Sequence, residues 1–330
     1  MSPQAAALEV QDLTISVRLR TGARAKVVDG ASFRLPAGGS LGLVGESGSG
    51  KTMTSLAIMG LLPGVAAVDG GRILLQGDDL LKKRPAEMRR IRGSRISMVL
   101  QDPMTALDPS FTIGSQLADP FRIHGHLRGQ ELERAMVAAL EQVHLPAADH
   151  RLRQYPHQLS GGMRQRVTSA IALAGEPEVL IADEPTTALD VTTQARYLQL
   201  LRQLQVKTGF ALLLIAHDLM IVRHMCDYVV VMYAGQVVEQ GPVDDIFGAP
   251  SHPYTRALID SVPVIGESLR LDSIEGQAPD IAEVMPGCRY APRCRFAREV
   301  CIASPPPTTS RGQDRVARCF GTEPDGWIGA

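Results

Sequence analysis

Leu41-Gly42-Leu43-Val44-Gly45-Glu46-Ser47-Gly48-Ser49-Gly50-Lys51-Thr52 joins an apolar strand to a glycine-rich turn, and a helical pattern over Met53 to Leu62 follows it. Glycines at Gly45, Gly48 and Gly50 let the backbone turn so that its N–H groups face an anion, with Glu46, Ser47 and Ser49 completing the cradle. The following helix adds its positive N-terminus. In this pattern Lys51 reaches the β- and γ-phosphates of a nucleotide and Thr52 ligates magnesium. A ligand-free Gly/Ser turn is the alternative, and the flanking strand and helix argue against it.

Three further apolar runs end in a polar residue: Ile96 to Gln101, Val179 to Asp183 and Leu212 to His217. Runs apolar on both faces suit a buried parallel sheet, and ligands bind beyond the carboxyl ends of such strands. The expectation is an α/β fold with four candidate site residues on one edge. Adjacent carboxylates there divide the work: Asp183 holds magnesium through water, and Glu184 orients and deprotonates the attacking water. An acidic turn opening a helix at Pro185 is the alternative reading. His217 is expected near the γ-phosphate, linking it to Glu184, although a lone histidine is more often structural. Gln101 is informative only by its position at a strand end.

Ser160, Gly161 and Gly162 open a helix read over Met163 to Ala174, with a capping hydroxyl, close backbone approach and an outward helix dipole. A simple helix cap is the plain explanation. Because Lys51 already supplies a phosphate site on this chain, the second is expected to bind the γ-phosphate held by another subunit, giving a two-subunit ATP sandwich.

Helical spacing recurs at Leu132, Met136, Ala139, Leu140 and Val143, and no strong buried-strand run lies between Gln101 and Ser160, so this stretch reads as a mostly helical insertion. Leu8 to Leu19 and Gly71 to Gly77 read as antiparallel strands. After Gly241, prolines such as Pro242, Pro250, Pro253, Pro263 and Pro305 to Pro307 mark a loop-rich extension. The expected division is an ATPase core with an antiparallel β subdomain over 1–101, a helical subdomain over 102–165, the second part of the core over 166–247, and the extension over 248–330. With 34 basic against 35 acidic residues in 330, the chain has no overall field for a polyanion, so nucleic acid is not favoured. Its apolar runs fall short of the ~20 residues that cross a bilayer. The N-terminus does not read as a signal peptide, which points to the cytosol.

In this order the phosphate loop, Gln101, Leu159-Ser160-Gly161-Gly162, Asp183-Glu184, Ala188-Leu189-Asp190 and His217 together resemble the nucleotide-binding subunit of an ATP-binding-cassette transporter. Leu100 to Pro109, Tyr155 to Arg166 and His252-Pro253-Tyr254-Thr255-Arg256-Ala257-Leu258 are similar to the dipeptide, oligopeptide and nickel importer branch. The resemblance implies ATP and Mg2+, the latter held by Thr52, Gln101 and Asp183, with Asp190 among the nucleotide-binding residues. It also implies a second cassette subunit, usually non-identical, whose Ser160 and Gly162 complete each site. Two permeases, whose coupling helices dock near the segment after Gln101, and an extracytoplasmic substrate-binding protein complete the implied assembly. The chain is then peripheral on the cytoplasmic side of the membrane. A nickel or metal-chelate importer is the runner-up to peptides, and a soluble cassette ATPase acting on nucleic acid or ribosomes is more distant. One departure is that Thr14 to Ser32 contains no aromatic residue to stack on adenine, so contact is expected from Arg24 to Val28.

Cys226 reads as a buried small hydrophobe. Cys288, Cys294, Cys301 and Cys319 cluster in the extension with five, six and seventeen residues between them. Four thiols in a proline-rich segment with little apolar core invite a metal staple. Structural zinc sites usually show pairs two to four residues apart, which this spacing lacks; zinc and free thiols stay open as alternatives. The resemblance implies a [4Fe-4S] cluster, and neighbouring arginines such as Arg289, Arg293, Arg295 and Arg315 are expected to offset its negative charge.

Overall fold

The apolar run before the phosphate loop forms a strand with all five residues buried in the computed structural model, which describes residues 5–187, 189–262, 274–280, 283, 285–312, 314–322 and 328. The strands in chain order are β1 (Ala6–Arg18), β2 (Arg24–Pro36), β3 (Ser40–Val44), β4 (Ala66–Leu75), β5 (Asp78–Asp79) and β6 (Ile96–Val99). The later chain adds β7 (Val179–Asp183), β8 (Ala211–Ala216), β9 (Tyr228–Tyr233), β10 (Gln236–Pro242), β11 (Thr308–Ser310) and β12 (Val316–Arg318). Ala188, Pro263 and Trp327 lie outside the described residues.

The chain divides into two compact units. One comprises Glu9–Arg34, Ser40–Asp78 and the chain from Leu214 onward. In it, β2, β1, β4 and β5 hydrogen-bond in that order, and β1 buries Ala7, Leu8, Val10, Leu13, Ile15 and Ser16 while its remaining positions are more open. β3 pairs parallel with β9, Leu41 opposite Tyr228 through Val44 opposite Val231. Both are buried almost without exception, which is why neither shows polar alternation. β9 continues antiparallel into β10, with a register shift between Val237 and Glu239. Ser40 and Asp227, one at the start of β3 and the other just before β9, exchange hydrogen bonds of 2.7 to 3.0 Å that fix the register.

Helix Val243–Gly248 leads into the extension, whose loops carry short elements: helices at Pro253–Asp260 and Glu299–Ala303, and two strands, β12 pairing antiparallel with β10 and β11 with β12. Three-residue strands are too short to display a period of two, and the β10 partner of β12 lies far away in sequence, so the prolines are the stronger local signal. His252 begins this packing: fully buried, it accepts the Tyr254 N–H on Nδ1 at 3.1 Å, and burial pushes its pKa down to about 3.

The other unit comprises Leu35–Gly39 and Asp79–Leu213, with the residues before Glu9. β6 and β7 pair parallel, Ile96 opposite Val179 through Val99 opposite Ala182. Arg95 and Glu178 clamp the start of both strands with a bidentate pair at 2.8 and 3.1 Å. Between Gln101 and Ser160 the described residues hold helices and turns and no strand, the longest being Ile113–Ile123 and Gly129–Gln142. Helices Gly161–Leu173 and Val191–Thr208 follow. Among the described residues, no helix is long and apolar enough to cross a membrane.

Candidate nucleotide site

The phosphate loop follows directly from the end of β3. Gly45 adopts φ 150°, and a Cβ there would lie 2.1 Å from the Met232 carbonyl oxygen, so close backbone approach excludes any side chain. Gly50, at φ 100°, caps the helix Lys51–Met59, and a Cβ would lie 2.6 Å from the Val27 carbonyl. The helix thus begins two residues earlier than its periodicity suggested, at the lysine. The Lys51 ammonium is buried and donates to the carbonyls of Gly45 and Glu46 at 2.7 and 3.0 Å and to Ser49 Oγ at 3.4 Å. Ser47, Gly48 and Thr52 are exposed, leaving the outer face of the turn open to an anion. In the same unit His217 is exposed beyond β8, and the Asp218 carboxylate after it caps the helix Leu219–Met225. In the segment offered for adenine, Arg24 bonds Ser16 and Lys26 bonds Asp29.

The other unit brings Gln101 and Glu184 together. Gln101 Nε2 donates to Glu184 Oε2 at 3.1 Å, and Thr187 Oγ1 donates to the same oxygen at 3.1 Å. Glu184 has φ 42°, a left-handed conformation that a non-glycine residue adopts at a cost of about 1–3 kcal/mol and that clusters at functional sites. Asp183, the last residue of β7, is 2% exposed. Pro185 does not open a helix. A turn follows instead, and the next helix starts at Val191, capped by Asp190, whose carboxylate accepts the Thr193 N–H at 3.0 Å. That bond holds the Asp190 carboxyl below its usual pKa.

Ser160 Oγ accepts the Met163 N–H at 3.4 Å, so the expected cap is present. Gly162 has a packing reason that sequence reasoning missed: a Cβ there would lie 2.7 Å from Thr193 Cγ2, where Gly161–Leu173 meets Val191–Thr208. Gly161 is looser, 3.8 Å from Leu189 Cδ2.

Cys288, Cys294, Cys301 and Cys319 line one apolar recess with Tyr290, Phe296 and Phe320, of volume about 20 Å³. No disulfide links the five cysteines. Burial pushes the Cys288 thiol up to about 11, with the other three thiols adding to the shift. The donor set is that of an iron–sulfur centre, but the recess has room for about one water, so a cluster requires it to widen. Among the described residues, no three His, Cys, Asp or Glu lie close enough to hold a metal ion. Of the arginines expected to compensate a cluster, Arg289 pairs with Asp29, Arg293 with Glu46 and Arg315 with Glu239, while Arg295 lies over the Phe296 ring and its charge acts on the Cys294 thiol. Cys226 is buried, as a small hydrophobe should be.

Residues 28–187 match the ABC transporter family model, and residues 238–301 match that of the oligopeptide/dipeptide transporter C-terminal region. The chain is 45% identical over 313 residues to a putative peptide import ATP-binding protein of Brucella abortus, covering 94% of each chain. It is 47% identical over 296 residues to one of Brucella ovis, covering 86% of this chain and 88% of the relative. Among solved structures it resembles the ATP-binding cassette MJ0796, a dimer in a post-hydrolysis state bound to ADP and phosphate, with TM-score 0.64 and 25% identity over 72% of this chain and 98% of that one. It also resembles cbiO1 from Clostridium perfringens, part of the transporter complex cbiONQ, with TM-score 0.62 and 27% identity over 74% of this chain and 92% of that one. The chain therefore belongs to the ABC transporter ATP-binding proteins, in the group that carries the oligopeptide/dipeptide transporter C-terminal region.

Proposed function

We propose that this chain is the ATP-hydrolysing subunit of an ABC importer for di- or oligopeptides. The observation that carries the reading is the joint presence of a phosphate loop built around Lys51 and a Glu184 carboxylate oriented by Gln101 and Thr187. In this reading Gly45 to Thr52 binds the ATP phosphates, with Lys51 as their cation. Thr52, Gln101 and Asp183 would hold Mg2+, which when bound offsets the phosphate charge. Glu184 accepts the proton of the attacking water, and His217 contacts the γ-phosphate. Ser160, Gly161 and Gly162, at a capped helix N-terminus, bind the phosphate presented by a second cassette subunit, with Asp190 nearby. ATP closes that pair by binding the closed form more tightly, and hydrolysis reopens it.

The importer reading places the chain on the cytoplasmic side of a membrane against two permeases, served indirectly by a substrate-binding protein. The names of the relatives favour peptides over nickel, and the near balance of 34 basic and 35 acidic residues disfavours nucleic acid. A tagged chain recovered from native membranes in mild detergent is expected to bring down two multi-spanning permeases and another cassette subunit, read by mass spectrometry. Recovery with ribosomes or nucleic acid from the soluble fraction instead would overturn the transport reading.

A second reading concerns the four converging thiols. Cys288, Cys294, Cys301 and Cys319 line one apolar recess and would supply the four donors of a [4Fe-4S] cluster if the recess opened and a metal displaced the thiol protons. The expected result of anaerobic purification is a brown protein with about four iron and four labile sulfide per chain. Colourless protein, or stoichiometric zinc, sinks this reading and leaves the ATPase unaffected.

A further inference from the structure

Glu46 is the most heavily engaged residue of the phosphate loop, and most of what engages it comes from the extension. Its carboxylate accepts from Arg293 Nη1 at 2.8 Å and Nη2 at 3.2 Å, a bidentate pair across 247 residues of sequence. Its backbone N–H donates to the Tyr254 hydroxyl at 2.8 Å. Its carbonyl accepts from Lys51 and from the Ser49 N–H at 3.2 Å. The extension thus takes two of its three hydrogen-bonding groups, and the loop itself takes the third.

The holding residues are themselves rigid. The Arg293 side chain is 6% exposed and also donates to Tyr233 Oη and to the carbonyls of Glu275 and Ile274, at 2.8 to 3.2 Å. Tyr254 is fully buried and packs against Tyr233 and Tyr290 with ring centroids 4.5 and 5.4 Å apart. A glycine-rich turn has little conformational preference of its own, so its shape must be imposed, and any ordering left for the ligand to impose weakens binding. When Lys51 turns to a phosphate it gives up the Gly45 and Glu46 carbonyls, and the contacts from the extension then hold the Glu46 carboxylate and N–H, with the Ser49 N–H left on its carbonyl.

We propose that Arg293 and Tyr254 are positioning residues for ATP, through which the C-terminal extension holds the phosphate loop in its receptive shape. This rests on the reading that the loop binds ATP. The test is titration of the full-length chain with a fluorescent ATP analogue in magnesium, together with steady-state ATP turnover. Arg293→Gln and Glu46→Gln are each expected to weaken analogue binding about tenfold, the effect of losing a charge-assisted pair. The double variant should be no weaker than either single one, and Arg293→Lys should recover part of the loss. KM for ATP should rise in step, with a smaller change in kcat. If Arg293→Gln fails to fold, Glu46→Gln and Tyr254→Phe carry the test. Unchanged affinity in these variants, or losses that multiply in the double variant, overturn the proposal. A wild-type chain that binds no analogue overturns the ATPase reading itself.

Discussion

Glu184→Gln is expected to lower steady-state ATP turnover of the assembled transporter by about 10²- to 10⁴-fold, the usual contribution of a positioned general base. The substitution is close to isosteric and keeps a carbonyl oxygen able to accept from Gln101 and Thr187, so it removes the proton acceptor with little disturbance of its surroundings. The local geometry argues for function over packing: a non-glycine residue at φ 42° with its carboxylate held by two side-chain donors is constrained in aim. Phosphate release at saturating Mg-ATP measures the effect, with nucleotide binding retained as the control. Turnover equal to the wild type would reassign the base.

Removal of the loop cation should be nearly as severe at an earlier step. Lys51→Ala is expected to weaken ATP binding by about 100-fold or more, because a buried ammonium opposite phosphate is worth several kcal/mol at the effective dielectric of such sites. Without it the phosphate loop offers the phosphates no side-chain cation, and its helix N-terminus contributes about 0.3–1 kcal/mol near a surface. The lysine also ties the Gly45 and Glu46 carbonyls, so a thermal melt must accompany the titration. A folded variant with wild-type affinity would exclude Lys51 from phosphate binding.

What could be read without the structure was whatever is contiguous. Leu41 to Thr52 carries strand, turn and helix start within a dozen residues, and each feature has a local physical signature. The apolar runs ending at Val99, Asp183 and Ala216 were legible for the same reason, since a strand buried on both faces must be apolar throughout. Helix starts at Lys51 and Gly161 were missed by two residues because glycine and polar residues at a first turn add nothing to periodicity. The alternative reading of Pro185 as a helix start failed because a proline fits a turn as well as a first helical position.

By itself, then, the sequence determined the phosphate loop, the acidic strand end, the capped Ser160 helix and the family to which they belong, because hydrophobic period and glycine geometry act over a few neighbouring residues. Only the tertiary structure decided that Arg293 and Tyr254 grip Glu46, that β12 lies on β10, that Gly162 must stay small beside Thr193, and that four cysteines line one recess while Arg289, Arg293 and Arg315 pair with carboxylates. Apart from the cysteines, those contacts join residues separated by 31 to more than 200 positions, and a hydrogen bond or packing contact across such a distance leaves no periodic trace in either partner.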